Sequence, residues 1–87
     1  MTDQTNIFDP KDVNNNLVKE TLEDVKEALE ERGYNSVNQL VGYLISGDPG
    51  YISNYKESRQ KITRIDRSTI VEVLLRSYVN KLWDILV

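Results

Sequence analysis

Apolar residues recur with the period of a helix in successive stretches of the chain. Val18, Leu22, Val25 and Leu29 lie four, three and four residues apart, on one face of a helix predicted over 16–32. Ala28 widens that stripe, and Gly33 stands where a left-handed C-terminal cap is needed. A second helix is predicted to start at Ser36, because Ser36-Val37-Asn38-Gln39 has the capping-box pattern. Val37, Leu40, Val41, Leu44 and Ile45 supply its apolar face. It carries almost no charge, so it is expected to be the most buried helix. Gly42 in its interior is unfavourable for a helix and predicts the close approach of another helix there. Ser46-Gly47 ends this segment. Asp48-Pro49-Gly50-Tyr51 has the chemistry of a type II turn, with Pro49 presetting the first central position and Gly50 accepting positive φ. Gly47, Asp48, Pro49 and Gly50 are therefore expected to be structural turn residues, not ligand contacts.

A third helix is predicted from Ser53 or Asn54 to Ile65, with Tyr55, Ile62 and Ile65 as a thin apolar stripe. Asp66 can cap a fourth. That fourth segment carries Ile70, Val71, Val73, Leu74, Leu75, Tyr78, Val79, Leu82, Trp83, Ile85 and Leu86. These cover far more than the roughly 100° stripe that a surface helix needs. A chain of 87 residues has too few other helices to cover such a face. A second copy packed symmetrically along it is expected, with Leu74, Leu75, Tyr78, Leu82 and Trp83 at the interface.

The first residues read differently. They are rich in Asp, Asn, Gln and Thr, and Pro10 interrupts them. Such a stretch buries too little apolar surface to offset its ordering entropy. The expected organisation is an all-α homodimer: a flexible tail over 1–15, then a bundle of about four helices over 16–87.

Composition narrows the function. The chain has no histidine and no cysteine, which excludes the usual catalytic triads and dyads, disulfides and ordinary zinc sites. Neither a cofactor nor a metal is implied, and an enzyme is not expected. Gly42 and Gly47 have the glycine spacing of a P-loop, but Asp48-Pro49 follows where Lys-Ser/Thr is required. No apolar run is long enough for membrane insertion, and the polar N-terminus does not read as a signal peptide. A cytoplasmic protein is expected.

Charge is uneven along the chain. Residues 1–32 hold nine acids and four bases, and residues 33–87 hold five acids and seven bases. The acids of the first helix read as a solvated face or as a surface for a basic partner. Lys56, Arg59, Lys61, Arg64 and Arg67 form a basic segment, a candidate docking surface. Its alternative role is a helix-turn-helix-like DNA contact through a basic helix over 54–67. The net charge of −3, the neighbouring acidic helix and an over-long connection argue against nucleic acid.

Three blocks carry a family resemblance: Gly33-Tyr34-Asn35, Asn38-Gln39-Leu40-Val41-Gly42-Tyr43-Leu44 and Ser46-Gly47-Asp48-Pro49-Gly50-Tyr51-Ile52. Arg59, Ile62, Asp66-Arg67, Ile70, Leu74 and Tyr78 continue it. The chain resembles the IreB family of small regulatory phosphoproteins of low-GC Gram-positive bacteria. The resemblance implies a helical homodimer and a cytoplasmic regulator of cell-envelope stress signalling. Its implied partners are a membrane Ser/Thr protein kinase, the cognate phosphatase and a downstream protein. It also implies acceptor threonines spaced Thr-x-x-Thr, which here fall on Thr2 and Thr5. Two stretches depart from the pattern: Ser53-Asn54 replaces a proline-containing step, and Leu82-Trp83-Asp84-Ile85-Leu86-Val87 is unusually apolar.

Overall fold

The computed structural model describes residues 10–86, with side chains from residue 15 onward. Thr2, Thr5 and most of the expected tail lie outside these residues. Helix α1 spans Pro10–Glu31, α2 Ser36–Ser46, α3 Ser58–Thr63 and α4 Arg67–Leu86. Two 3-10 turns, Pro49–Tyr51 and Tyr55–Glu57, bridge α2 and α3. The described residues contain no strand, so the all-α expectation stands.

Helix α1 starts at Pro10, well ahead of the expected Asn16. Proline is favoured in a first helical turn, because its missing N–H has no intrahelical partner there in any case. Pro10 thus opens the helix instead of breaking the chain. Val18, Val25, Ala28 and Leu29 are buried, as the spacing predicts. The other end closes on Gly33 at φ 80. The Gly33 amide donates to the Glu30 carbonyl (2.9 Å) and the Tyr34 amide to that of Leu29 (3.0 Å), the two bonds of a Schellman cap.

Asn35, not Ser36, caps α2: its side chain accepts from the Asn38 amide at 3.0 Å. Ser36 is buried, and its hydroxyl donates to Glu30 (2.8 Å). Gln39, the expected capping-box partner, accepts instead from the Ser53 amide (3.1 Å) and ties α2 to the following loop. Helix α2 is not the most buried helix. Tyr43 alone of its apolar residues is buried, while Val37, Val41 and Ile45 are exposed. The neighbour at Gly42 is a side chain and not a helix: a Cβ there would overlap the Tyr51 ring.

The turn after α2 forms where expected, with different geometry. Gly47 has φ 77 and its amide closes on the Tyr43 carbonyl (2.7 Å). Gly50 does not take positive φ. Asp48 accepts from the Gly50 amide (2.8 Å), and this side-chain bond winds Pro49–Tyr51 into a 3-10 turn in place of type II. Gly47→Ala is therefore expected to destabilise by about 1 kcal/mol from backbone strain alone. An added Cβ there would also press on the Arg67 guanidinium at 2.8 Å. Gly50→Ala is expected to cost clearly less, since its Cβ would meet only the Asp48 carboxylate at 3.1 Å. Urea titrations of the two variants check the order; equal losses would refute it.

The expected helix from Ser53 or Asn54 to Ile65 is interrupted. Lys56 (φ 52) and Glu57 (φ 62) are left-handed, a conformation that costs about 1–2 kcal/mol per non-glycine residue. Ser58, wholly buried, donates to the Tyr55 carbonyl (2.7 Å) and holds the kink. Helix α3 then runs for only 6 residues. It brings Ile62 onto α1, into a core formed by Val18, Val25, Leu29, Tyr43, Ile52, Ile62, Ile70 and Val73.

Candidate functional site

Helix α4 joins this core through Ile70 and Val73 and is exposed beyond them. Leu74, Leu75, Tyr78, Val79, Leu82, Trp83, Ile85 and Leu86 all face solvent in the single chain, with Leu75 at 59% and Trp83 at 67%. Leu74, Leu75, Tyr78, Leu82 and Trp83, the residues singled out for an interface, thus lie together on the uncovered part of one helix. Scattered exposed apolar residues are ordinary, but a continuous run of large ones on one rigid element marks an interaction surface. The sequence reasoning assigned a second apolar strip to the interior. Val37, Val41 and Ile45, at i, i+4 and i+8 on α2, are also exposed. The same periodicity that predicted a buried face is met equally by a face awaiting a partner.

The five bases of the segment 56–67 make different contacts. Lys56 pairs with Glu31 at 2.7 Å, and the Tyr55 hydroxyl donates to the other oxygen of that carboxylate at 2.9 Å. These bonds, Lys56 first, hold the Glu31 carboxyl below the ordinary glutamate value, and Glu31 in turn raises Lys56. Arg32 stacks over the Tyr55 ring at 4.7 Å, closing the cluster. Arg59 points its Nε at the carbonyls of Ile52 (2.9 Å) and Pro49 (3.1 Å), bracing the 3-10 turn against α3. Lys61 lies 4.0 Å from Asp24. Arg67 donates to the Leu44 carbonyl (3.1 Å), one of the acceptors left over at the end of α2. Arg64 lines a shallow cleft with Leu17, Val18, Ile65, Asp66 and Thr69. Several of the bases thus serve the fold, which no composition count reveals. The split of 54–67 into a 3-10 turn, α3 and the start of α4 also removes the continuous basic helix that a DNA contact was expected to use.

The turn residues behave as structural parts: Gly47 caps α2, Asp48 caps the 3-10 turn, Pro49 opens it and Gly50 donates to Asp48. Among the described residues no group of His, Cys, Asp or Glu is placed to hold a metal ion. No described helix is long and apolar enough to cross a membrane. What the described residues present is surface, above all the apolar face of α4.

A family model for the IreB regulatory phosphoprotein matches residues 3–80. The span includes Thr5 and leaves out Thr2, and it ends within α4, before the apolar Leu82, Trp83, Ile85 and Leu86. It covers every described element apart from the last turns of α4. On that match, the chain belongs to the IreB family of regulatory phosphoproteins.

Proposed function

We propose that this protein is a non-enzymatic cytoplasmic regulator, switched by reversible phosphorylation of Thr5 and Thr2, that modulates cell-envelope stress signalling through protein contacts. The match to a regulatory phosphoprotein family over residues 3–80 carries the reading. A membrane Ser/Thr kinase transfers the γ-phosphoryl group of ATP to the threonine Oγ, releasing ADP and a proton. The phosphatase returns the hydroxyl by hydrolysis. Each phosphate adds about −1.5 to −2 charges at neutral pH and three strong acceptor oxygens. Thr5 and Thr2 are the proposed acceptors, and Thr5 falls inside the matched span. The uncovered face of α4 supports a homodimer through Leu74, Leu75, Tyr78, Leu82 and Trp83, and leaves the α2 strip for a further protein.

The test is phosphorylation of the full chain by the cytoplasmic domain of such a kinase, with the sites mapped by mass spectrometry. Phosphate at Thr5, lost in Thr5→Ala and removed by the phosphatase, is the expected result. No uptake, or phosphate confined to serines of the helical region, overturns the reading.

A further inference from the structure

Helix α1 lays out three clefts along its length. Near its C-terminal end, Asp24, Glu27 and Glu31 meet Lys56 and Lys61. This cleft holds more carboxylates than bases and repels a phosphate. Nearer the start, the Arg64 cleft pairs one base with Asp66 and apolar walls. The third cleft, of about 170 Å³, lies between α1 and α4 and is lined by Asn15, Lys19, Val73, Arg76, Ser77 and Asn80. Its described lining has two bases, three uncharged hydrogen-bonding side chains and no carboxylate, with Glu72 lying beside it on Arg76. Glu72 takes only the Nε of Arg76, at 2.9 Å, which leaves the two terminal nitrogens of the guanidinium for another acceptor. Of the three, this cleft has the chemistry that suits a phosphoryl group.

Reach points the same way. The helix rise of 1.5 Å per residue puts Asn15 about 7 Å and Lys19 about 13 Å along α1 from Pro10. Glu31, where Lys56 is held, is about 30 Å away. Five residues of extended chain from Pro10 to Thr5 span at most about 17 Å. A phosphate on Thr5 therefore reaches the Lys19–Arg76 cleft of its own chain with slack, and its tether stops well short of Lys56.

We propose that the cleft formed by Asn15, Lys19, Arg76, Ser77 and Asn80 receives the phosphoryl group of phosphorylated Thr5 from the same chain. The proposal rests on the reading that Thr5 is an acceptor. Val73, Arg76, Ser77 and Asn80 are spaced i, i+3, i+4 and i+7 on α4, beside Leu74, Leu75, Tyr78 and Val79 of the uncovered face. The docked segment brings a dianion to the edge of that face, so the modification alters what the face accepts.

Phosphothreonine incorporated at position 5 by codon reassignment supplies the test protein without any kinase. Its outcome is thus separate from whether a kinase uses Thr5. Amide resonances of Asn15, Lys19, Arg76, Ser77 and Asn80 are expected to shift at low salt and to return toward the unmodified positions at high salt. In phosphorus-31 titrations, the second phosphate ionisation, ordinarily near 6, is expected to fall by about half a unit. Both effects should vanish in the Lys19→Ala/Arg76→Ala double variant, whose substituted side chains are exposed and leave the core intact. Shifts confined to residues 1–9, or shifts at Lys56, Arg59 and Lys61 that survive the double substitution, overturn the proposal.

Discussion

Leu75→Asp is expected to turn a dimer into a folded monomer at micromolar concentration. Leu75 is 59% exposed in the single chain and is not part of the buried core that Ile70 and Val73 join. A carboxylate there meets water in the monomer and costs the protomer little. In a symmetric interface it is placed twice in an apolar contact. Burying an uncompensated charge is worth several kcal/mol, and about 4 kcal/mol already weakens association a thousandfold. Leu82→Asp should act the same way from one turn pair further along the helix. Light scattering reads the mass, and far-ultraviolet circular dichroism reads whether the helices survive. A variant that stays dimeric places the interface elsewhere; an unmodified protein that is monomeric at micromolar concentration removes the dimer altogether.

Ile62→Ala is expected to have the largest effect on stability. Ile62 is wholly buried between α3 and α1, in a core of few side chains. Truncating a buried isoleucine typically costs about 2–5 kcal/mol, through lost transfer energy and the cavity left behind. A domain of this size has about 5–15 kcal/mol in all, and small domains sit near the bottom of that range. Ile45→Ala supplies the internal comparison, because the same side chain on α2 is 80% exposed. It should change stability by no more than about 0.5 kcal/mol in the monomer. Urea unfolding of both variants in the Leu75→Asp background separates core from assembly. Equal losses would mean that the assigned core is wrong.

The α1 stripe was legible because a four-three-four spacing on a polar helix has one physical solution. Gly33 and Gly47 were legible because each stands just past the end of a helical apolar stripe, where glycine accepts the left-handed cap. The excess apolar circumference of α4 was also plain, and its exposure beyond Val73 agrees with it. Other features depend on tertiary partners that local patterns do not name. Ser36 looks like a cap until Glu30 takes its hydroxyl, and Asn35 does the capping. Gly50 looks like a positive-φ residue until the Asp48 carboxylate captures its amide. The 54–65 run reads as one helix because Lys56 and Glu57 are tolerable helix formers. Their left-handed backbone is held by Ser58 and by Glu31, which lies 25 positions from Lys56 in the chain. The basic segment was legible as composition, and the contacts of its members were not: Arg59 and Arg67 each donate to backbone carbonyl oxygens. The proposed acceptors, Thr2 and Thr5, come only from the family resemblance and lie outside the described residues.

Helix α4 is held at one end. Its buried residues, Ile70 and Val73, belong to the first half, and the part beyond them extends for about 20 Å. In mechanical terms it is a cantilever. A load applied at Trp83 acts through a long arm on a short anchorage, so a small sideways displacement at the tip becomes a torque at Val73. Val73 is also a wall of the cleft that holds Lys19 and Arg76. A partner gripping the free end of the helix would therefore load the wall of that cleft, and a group filling the cleft would brace the arm.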